Sequence, residues 1–436
     1  MKKKLSSDRT TSGLITRRDM LKVTAATVFG FSIVPRHVLG GPGYTPPSET
    51  LTRAIIGCGG MGRGHVGYDY GPLLAMCDVD SRHLGMGLAR AKEKGYDNVT
   101  PYADFRELLE RDDIDVVHVA TPPHWHAAMA IAAAESGKDV WCEKPMTRTI
   151  GEGKKVVEAM RRTGRKLRIN TWFRMNGNWY GSGSAVAPLK KLVDSGMLGW
   201  PLKFNLGEST GFDWKFEWSG KPEQLPEEAI PAELDYNMWL GPAPYKPYNS
   251  HRVHSTFRGY WDYDGGGLGD MGQHYLDPVQ YLLGKDDTSP VEIEADGVQQ
   301  HPEAVLPFRT IRMVYDDGCE IILDGGPKRE GVALIEGPNG KLFPGFKSDI
   351  PNMRARLDEF PDPEPHITEF AEAVRSRQDF ALNEKNGHRS CTLINLAKIA
   401  TRTQRVMRFD PNTQLFLNDE QANQLIDEPV RAPWVL

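Results

Sequence analysis

The chain is poor in cysteine, and none of its five (Cys58, Cys77, Cys142, Cys319 and Cys391) forms a C-x-x-C pair or a zinc spacing. That excludes a disulfide scaffold and a structural zinc site, and it predicts buried thiols. No run of about 20 strongly apolar residues is present to cross a bilayer. The one candidate, VTAATVFGFSIV, is short and rich in Ala and Thr, so an integral membrane protein is not expected. Net charge is −5, with no long basic run beyond the N-terminus, so nucleic acid is not an expected partner. Internal repeats and low-complexity blocks are also missing. A small-molecule ligand fits better, on a 436-residue chain long enough for two domains.

The richest stretch runs from Leu51 to Asp80: an apolar run, then Gly57-Cys58-Gly59-Gly60-Met61-Gly62, then LLAMC closed by Asp78. A G-x-G-x-x-G between two strand-like runs is a dinucleotide-binding pattern. Gly57 permits the turn out of the first strand, Gly59 lets backbone approach a pyrophosphate, and Gly62 lets the next helix pack closely. Gly57, Gly59, Gly60, Met61 and Gly62 are therefore candidate cofactor contacts. Asp78 stands 21 residues after Gly57, where a carboxylate accepts hydrogen bonds from an adenosine ribose and repels a 2′-phosphate. NAD is favoured over NADP.

At the N-terminus, Thr16-Arg17-Arg18-Asp19-Met20-Leu21-Lys22 precedes the short apolar run and reads as a twin-arginine export signal. The expected organisation is a signal over 1–40, a Gly/Pro-rich linker over 41–50, a nucleotide-binding domain over 51–173 and a second domain over 174–436. A bacterial, periplasmic or otherwise exported protein is the corresponding expectation.

From residue 52 to about 170, strand-like runs (RAIIG, LLAMCD, VVHVAT, DVWCEK, KLRIN) alternate with amphipathic stretches near 62–70, 81–94, 103–110, 124–136 and 150–163. Such alternation predicts a doubly wound parallel sheet. After Trp172 comes a segment rich in Trp, Tyr, Gly and Pro. A helix near 269–284 follows, then strands at 291–299, 309–315, 319–324 and 331–336, then helices near 366–376 and 387–405. The strands, joined by short turns, predict an α+β domain with an antiparallel sheet.

Two clusters carry chemistry. Glu143 and Lys144 end an apolar strand, at the edge where ligands bind in open α/β sheets. In Gly269-Asp270-Met271-Gly272-Gln273-His274, a helix starting near Gly269 puts Asp270 and His274 on one face at i, i+4. An imidazole can accept a hydroxyl proton near neutral pH, and a neighbouring carboxylate raises its basicity. His124 and His126, at i, i+2 of a helix start, do not converge on a metal, and no metal site is expected. Trp172, Trp179, Trp214, Trp218, Tyr260, Trp261 and Tyr263 are more aromatics than loops need, and such faces stack on pyranose rings.

Taken in order, G-x-G-x-x-G, Cys77-Asp78-Val79-Asp80, Thr121-Pro122-Pro123-His124-Trp125-His126, Glu143-Lys144-Pro145 and Gly269-Asp270-Met271-Gly272-Gln273-His274-Tyr275-Leu276-Asp277 resemble the Gfo/Idh/MocA (glucose-fructose oxidoreductase / inositol dehydrogenase) family over nearly the whole chain. The resemblance implies a Rossmann domain followed by an α+β domain with an open-faced, mainly antiparallel sheet. Its C-terminal helices would pack back on the first domain. It further implies that Lys144 steadies the reacting oxygen, His274 is the general base and Asp270 orients substrate or tunes that base. Thr121, Pro122, His126 and Glu143 would line the cofactor channel, and Arg174 and Trp172 would meet substrate. Asn170-Thr171-Trp172-Phe173-Arg174 departs from the Gly-Thr-Gln-Arg-like stretch of many members, and its aromatic pair would reshape that pocket. The expected activity is hydride transfer between a sugar or glycoside carbon and tightly held NAD, in a homo-oligomer (dimer or tetramer). A glycoside hydrolase working by transient oxidation, and a non-catalytic sugar-binding protein, stay open beside it.

Overall fold

The computed structural model describes residues 50–171, 173–174, 177–179, 182–207, 225–326 and 329–436. The expected export signal lies outside them, as do Trp172, Trp214 and Trp218.

Strands β1 (Arg53–Ile56) and β2 (Leu73–Cys77) flank the glycine loop. Next comes β3 (Thr100–Tyr102), which the sequence reading missed: it is short and largely exposed and contains Pro101, a residue that sheets tolerate at edges. Strands β4 (Val116–Val119), β5 (Asp139–Glu143) and β6 (Leu167–Asn170) complete a six-stranded parallel sheet in the order β3-β2-β1-β4-β5-β6. Strands β1, β4 and β5 are buried on both faces, as helices on both sides of a parallel sheet require. Each buried Val, Ile or Leu there contributes about 1.5–3 kcal/mol. The strand order reverses between β1 and β4, and a crevice opens at that point beyond the carboxyl ends.

A short hairpin, β7 (Asn178–Trp179) with β8 (Ser184–Ala185), leads into the second domain. Its nine-stranded sheet contains β9 (Lys203–Gly207), β10 (Glu292–Gly297), β11 (Phe308–Val314), β12 (Glu320–Asp324), β13 (Ile335–Gly337), β14 (Gly340–Phe343), β15 (Lys347–Ser348), β16 (Met407–Asp410) and β17 (Leu415–Phe416). The order is β15-β14-β13-β9-β12-β11-β10-β16-β17, antiparallel except where β12 meets β9. One face buries Phe204, Leu206, Ile311, Met313, Ile321 and Leu323. On the other, Arg312 bridges Glu292 and Glu320. This is the Rossmann-plus-open-sheet architecture the sequence implies.

Two helices set up the site. Gly266–Leu282 begins earlier than the sequence predicts, because Gly265 (φ 141°) and Gly266 (φ 68°) adopt backbone that L side chains rarely take. Ile150–Thr163 is fixed at its start by a capping box between Thr149 and Glu152, which pins the loop following Lys144. Helix Glu384–Thr403 packs on both of these helices. Past its end, Glu428 pairs with Arg402 and reaches Arg148 in the pinned loop. Burial opposes ionisation of Glu428, but the two guanidinium charges outweigh it and hold its pKa at about 2.

A separate cluster of Leu234, Tyr236, Trp239, Leu240, Tyr248, Phe257, Tyr260 and Tyr263 packs against Val79. There the main chain of the second domain is tied to the first. Asp80 bridges Leu234, Ser81 N–H donates to Glu233 O at 2.9 Å, and Asp235 N–H donates to Val79 O at 2.9 Å. All five cysteines are free and buried. Among the described residues, no helix is long and apolar enough to cross a membrane.

Candidate active site

The crevice is a cavity of about 550 Å³ whose wall runs from the glycine loop to the Gly266–Leu282 helix. At one end, a Cβ on Gly62 would lie 1.7 Å from Gly57 O, and one on Gly57 (φ 91°) would lie 2.7 Å from the Ala120 carbonyl; only glycine permits this turn. Gly59 and Gly60 line the cavity and have nothing within 4 Å of a would-be Cβ, so they form an open cradle. Met61, Arg63, Thr121 and Pro122 also line it. Asp78 accepts from Cys58 N–H (2.6 Å) and Asp80 N–H (2.8 Å), and burial raises its carboxyl to about 6. A cradle of bare backbone with a carboxylate at the next strand end fits a dinucleotide and its ribose.

At the other end the two domains meet. Lys144, just past β5, donates from Nζ to the Asp270 carbonyl (2.6 Å) and to its Oδ1 (3.0 Å). Arg258 Nε lies 2.8 Å from the same Oδ1. Burial works against ionisation of Asp270, but Lys144 and Arg258 outweigh it and hold its carboxyl below the usual range. Glu143 lines the cavity, yet its Oε1 is taken by His65 Nε2 (2.7 Å) and Asn170 Nδ2 (2.6 Å). Behind it, His65 contacts His118, and His118 contacts Tyr70. Burial disfavours the Glu143 charge, but these hydrogen bonds and the Lys144 charge keep its pKa low.

His274 lies one turn beyond Asp270, 4% exposed and edge-on to Phe173 at 5.2 Å. The expected rise in its basicity is reversed. Burial first, and then the Lys144 charge, lower the imidazole to about 3 against the opposing pull of Glu143 and Asp270. His274 is not among the residues lining the cavity.

Several expectations need correction. His126 is 1% exposed and sits behind the wall, its ring nitrogens taken by Pro145 O (2.7 Å) and Thr121 O (2.8 Å). It ties the β4 loop to the Lys144 loop instead of lining the channel. Arg174 is not among the residues lining the cavity: its buried guanidinium is held by the buried Asp277 and the partly exposed Asp286. Trp179, Tyr260, Trp261 and Tyr263 are core residues, at most 3% exposed. The aromatic residues of this type that line the cavity are instead Phe105, Trp125, Trp239 and Phe257, themselves packed in the core clusters. Sequence reading missed Arg258 and Asp264, which line the cavity with Lys144 and Asp270, and missed His254 (φ 55°), whose Nε2 is 3.4 Å from Asp80 Oδ2. With His83, those two form a cluster of metal-ligating type near Asp78. A run of turns and short 3₁₀ segments carries Arg258 and His254, with no periodicity to reveal them. Asp264 had a signal, since it directly precedes Gly265-Gly266-Gly267.

A two-domain fold with a dinucleotide cradle facing a lysine–carboxylate pair defines a nicotinamide-linked oxidoreductase class. The family model described as "Oxidoreductase family, NAD-binding Rossmann fold" matches residues 51–171, and that described as "Oxidoreductase family, C-terminal alpha/beta domain" matches 182–436. The chain belongs to the Gfo/Idh/MocA oxidoreductase family. Among curated proteins it is similar to a levoglucosan dehydrogenase of Pseudarthrobacter phenanthrenivorans, with 28% identity over 54% of this chain and 52% of the relative. It is also similar to a glycosyl hydrolase family 109 protein of Shewanella pealeana, with 31% identity over 34% and 38%. The matches thus span about half or less of these relatives' length. In fold it resembles the WlbA dehydrogenase of Bordetella pertussis, solved with NADH and UDP-GlcNAcA, with TM-score 0.56, 18% identity and coverage of 83% of this chain and 99% of that one.

Proposed function

We propose that the protein is an NAD-linked oxidoreductase acting on a hydroxyl-bearing carbon of a sugar or glycoside. The observation that carries this reading is the 3.0 Å contact between Lys144 and Asp270, made across the two domains in the wall of the cavity that also holds Gly59 and Gly60. Gly59, Gly60, Met61, Arg63, Thr121 and Pro122 would hold the dinucleotide, and Asp78 would select NAD by repelling a 2′-phosphate. Bound NAD supplies the nicotinamide that accepts or returns hydride.

The chain's own groups supply geometry and charge. Lys144 turns a hydrogen-bond donor towards the reacting oxygen and steadies negative charge developing there. Asp270, held low by two cations, fixes the position of that ammonium. Trp125, Trp239, Phe105 and Phe257 give the apolar side of a sugar ring aromatic surface to meet in the same cavity that Lys144, Arg258, Asp264 and Asp270 line. The names of the levoglucosan dehydrogenase and of WlbA's ligand support a sugar as substrate.

The test is a panel of sugars and glycosides given to the purified holoprotein, with product mass and nicotinamide absorbance followed together. Redox change with a carbonyl product supports the reading; no change with any member overturns it. Similarity to the glycosyl hydrolase family 109 protein favours a second reading, hydrolysis by transient oxidation, which the same assay separates as aglycone release without net NADH. We further propose export by the twin-arginine route, on the strength of Thr16–Lys22, and a second copy covering the open face of the nine-stranded sheet. Localisation of a tagged full chain and light scattering of the purified protein test these two proposals.

A further inference from the structure

The carboxylates lining the cavity are Asp78, Asp80, Glu143, Asp264 and Asp270. Asp78 accepts two backbone N–H groups, Asp80 caps the helix after β2 and faces His254, Glu143 is held by His65 and Asn170, and Asp270 by Lys144 and Arg258. Asp264 differs. It is 1% exposed, and neither carboxyl oxygen has a hydrogen-bond partner. Its Oδ1 lies 1.9 Å from where a Cβ on Gly269 would stand, so the absence of a side chain there lets the carboxyl fold against the first turn of the helix that carries Asp270. A buried, unpaired polar group of this kind is costly, and a ligand hydroxyl relieves the cost by supplying both a donor and an acceptor.

Resting on the sugar oxidoreductase reading above, we propose that Asp264 is a further catalytic residue, the group that exchanges a proton with the substrate hydroxyl. In the oxidative direction the substrate O–H bond breaks and an O–H bond forms on the Asp264 carboxylate. The electron pair stays on the substrate oxygen, where Lys144 donates. In the reductive direction the neutral carboxyl returns the proton. The charged groups facing Asp264 are Asp270, Arg258, Lys398 and Lys144. Lys398 comes from the Glu384–Thr403 helix, its ammonium donating to Arg148 O at 2.8 Å and Asn395 Oδ1 at 3.3 Å. Burial, aided by the Asp270 charge, pushes the Asp264 carboxyl well above the usual carboxylate range, and the three cations offset this only in part. A base is most effective when its pKa is near the working pH. Asp264 is shifted in that direction, whereas His274 is shifted away from it.

The test compares the wild-type holoprotein with Asp264→Asn, which keeps the shape and cannot take the proton, and with His274→Asn. In the wild type, infrared difference spectra should show a neutral carboxyl band that persists above pH 5 and titrates away at higher pH, and Asp264→Asn should lack it. The oxidation rate of the wild type should rise with pH over the same range. Asp264→Asn should lose that limb and about 10²-fold or more in kcat while retaining its bound nucleotide, and His274→Asn should keep the limb. If Asp264→Asn does not fold, Asp264→Glu is used, and a displaced limb supports the proposal. A wild-type profile in Asp264→Asn or Asp264→Glu, loss of the limb in His274→Asn alone, or absence of the infrared band overturns it. If no sugar reacts with the wild type, the oxidoreductase reading fails, and the infrared titration still decides whether Asp264 holds the proton.

Discussion

Lys144 and Asp270, 126 residues apart, meet through two hydrogen bonds from one ammonium, to the carbonyl and to the carboxylate of the same aspartate. The lysine belongs to the nucleotide-binding sheet and the aspartate to a helix of the second domain, so the contact exists only when both domains are folded against each other.

Replacing that amine with an unbranched apolar side chain only one atom shorter isolates its chemical part. Lys144→Met should lower kcat by about 10²–10³-fold, the usual loss when a hydrogen-bond donor to a developing oxyanion is removed, and leave nucleotide content unchanged. Steady-state kinetics with nucleotide released on denaturation checks both. Turnover within twofold of wild type would remove Lys144 from the chemistry.

The glycine loop predicts two different outcomes from one kind of change. Gly62→Ala drives a methyl into Gly57 O, so the turn must move. Loss of bound NAD and a destabilisation of about 1–3 kcal/mol should follow. Gly60→Ala meets open space and should keep the melting temperature of the nucleotide-free protein while weakening nucleotide binding. Thermal unfolding and a nucleotide titration separate the two.

Glu428 gives an acid-side prediction. Its folded pKa lies below its unfolded one, so its stabilisation is fully present above about pH 4.5 and is lost as pH falls through about 2. Glu428→Gln should therefore be less stable at neutral pH, by something on the order of 3 kcal/mol. The gap from wild type should narrow progressively below about pH 4.5. Denaturant titrations at several pH values test this; a gap independent of pH would contradict the assignment.

Arg174 should behave as a structural residue. Arg174→Met strands the buried Asp277 without its partner, a change that typically costs about 3–5 kcal/mol. Stability should fall while KM for the sugar stays within twofold of wild type. A large rise in KM at intact stability would return Arg174 to the substrate site.

What was legible in the chain was local. The Gly57–Gly62 turn, Asp78, Lys144 and Asp270 stand at strand ends or a helix start that hydrophobic periodicity marks, and the cavity gathers them. The errors arose where a side chain's partner is distant. Arg174 reads as a free cation until Asp286, 112 residues away, is seen beside it. His126 reads as channel-facing until the Pro145 carbonyl claims it. The aromatic segment looked like a sugar platform because composition does not say which rings face inward. Strand β9 was missed because its pairing with β12 and β13 is long-range.

The main-chain tie between Val79–Ser81 and Glu233–Asp235 joins the two domains beside Asp78, at one end of the cleft. The two backbone hydrogen bonds that make the Asp80–Leu234 bridge must break before Val79–Ser81 and Glu233–Asp235 can part. Because neither of them involves a side chain, point substitutions around Asp78 can change the strength of the grip while the gate itself persists, so dissociation should follow local strand fraying rather than nucleotide affinity alone.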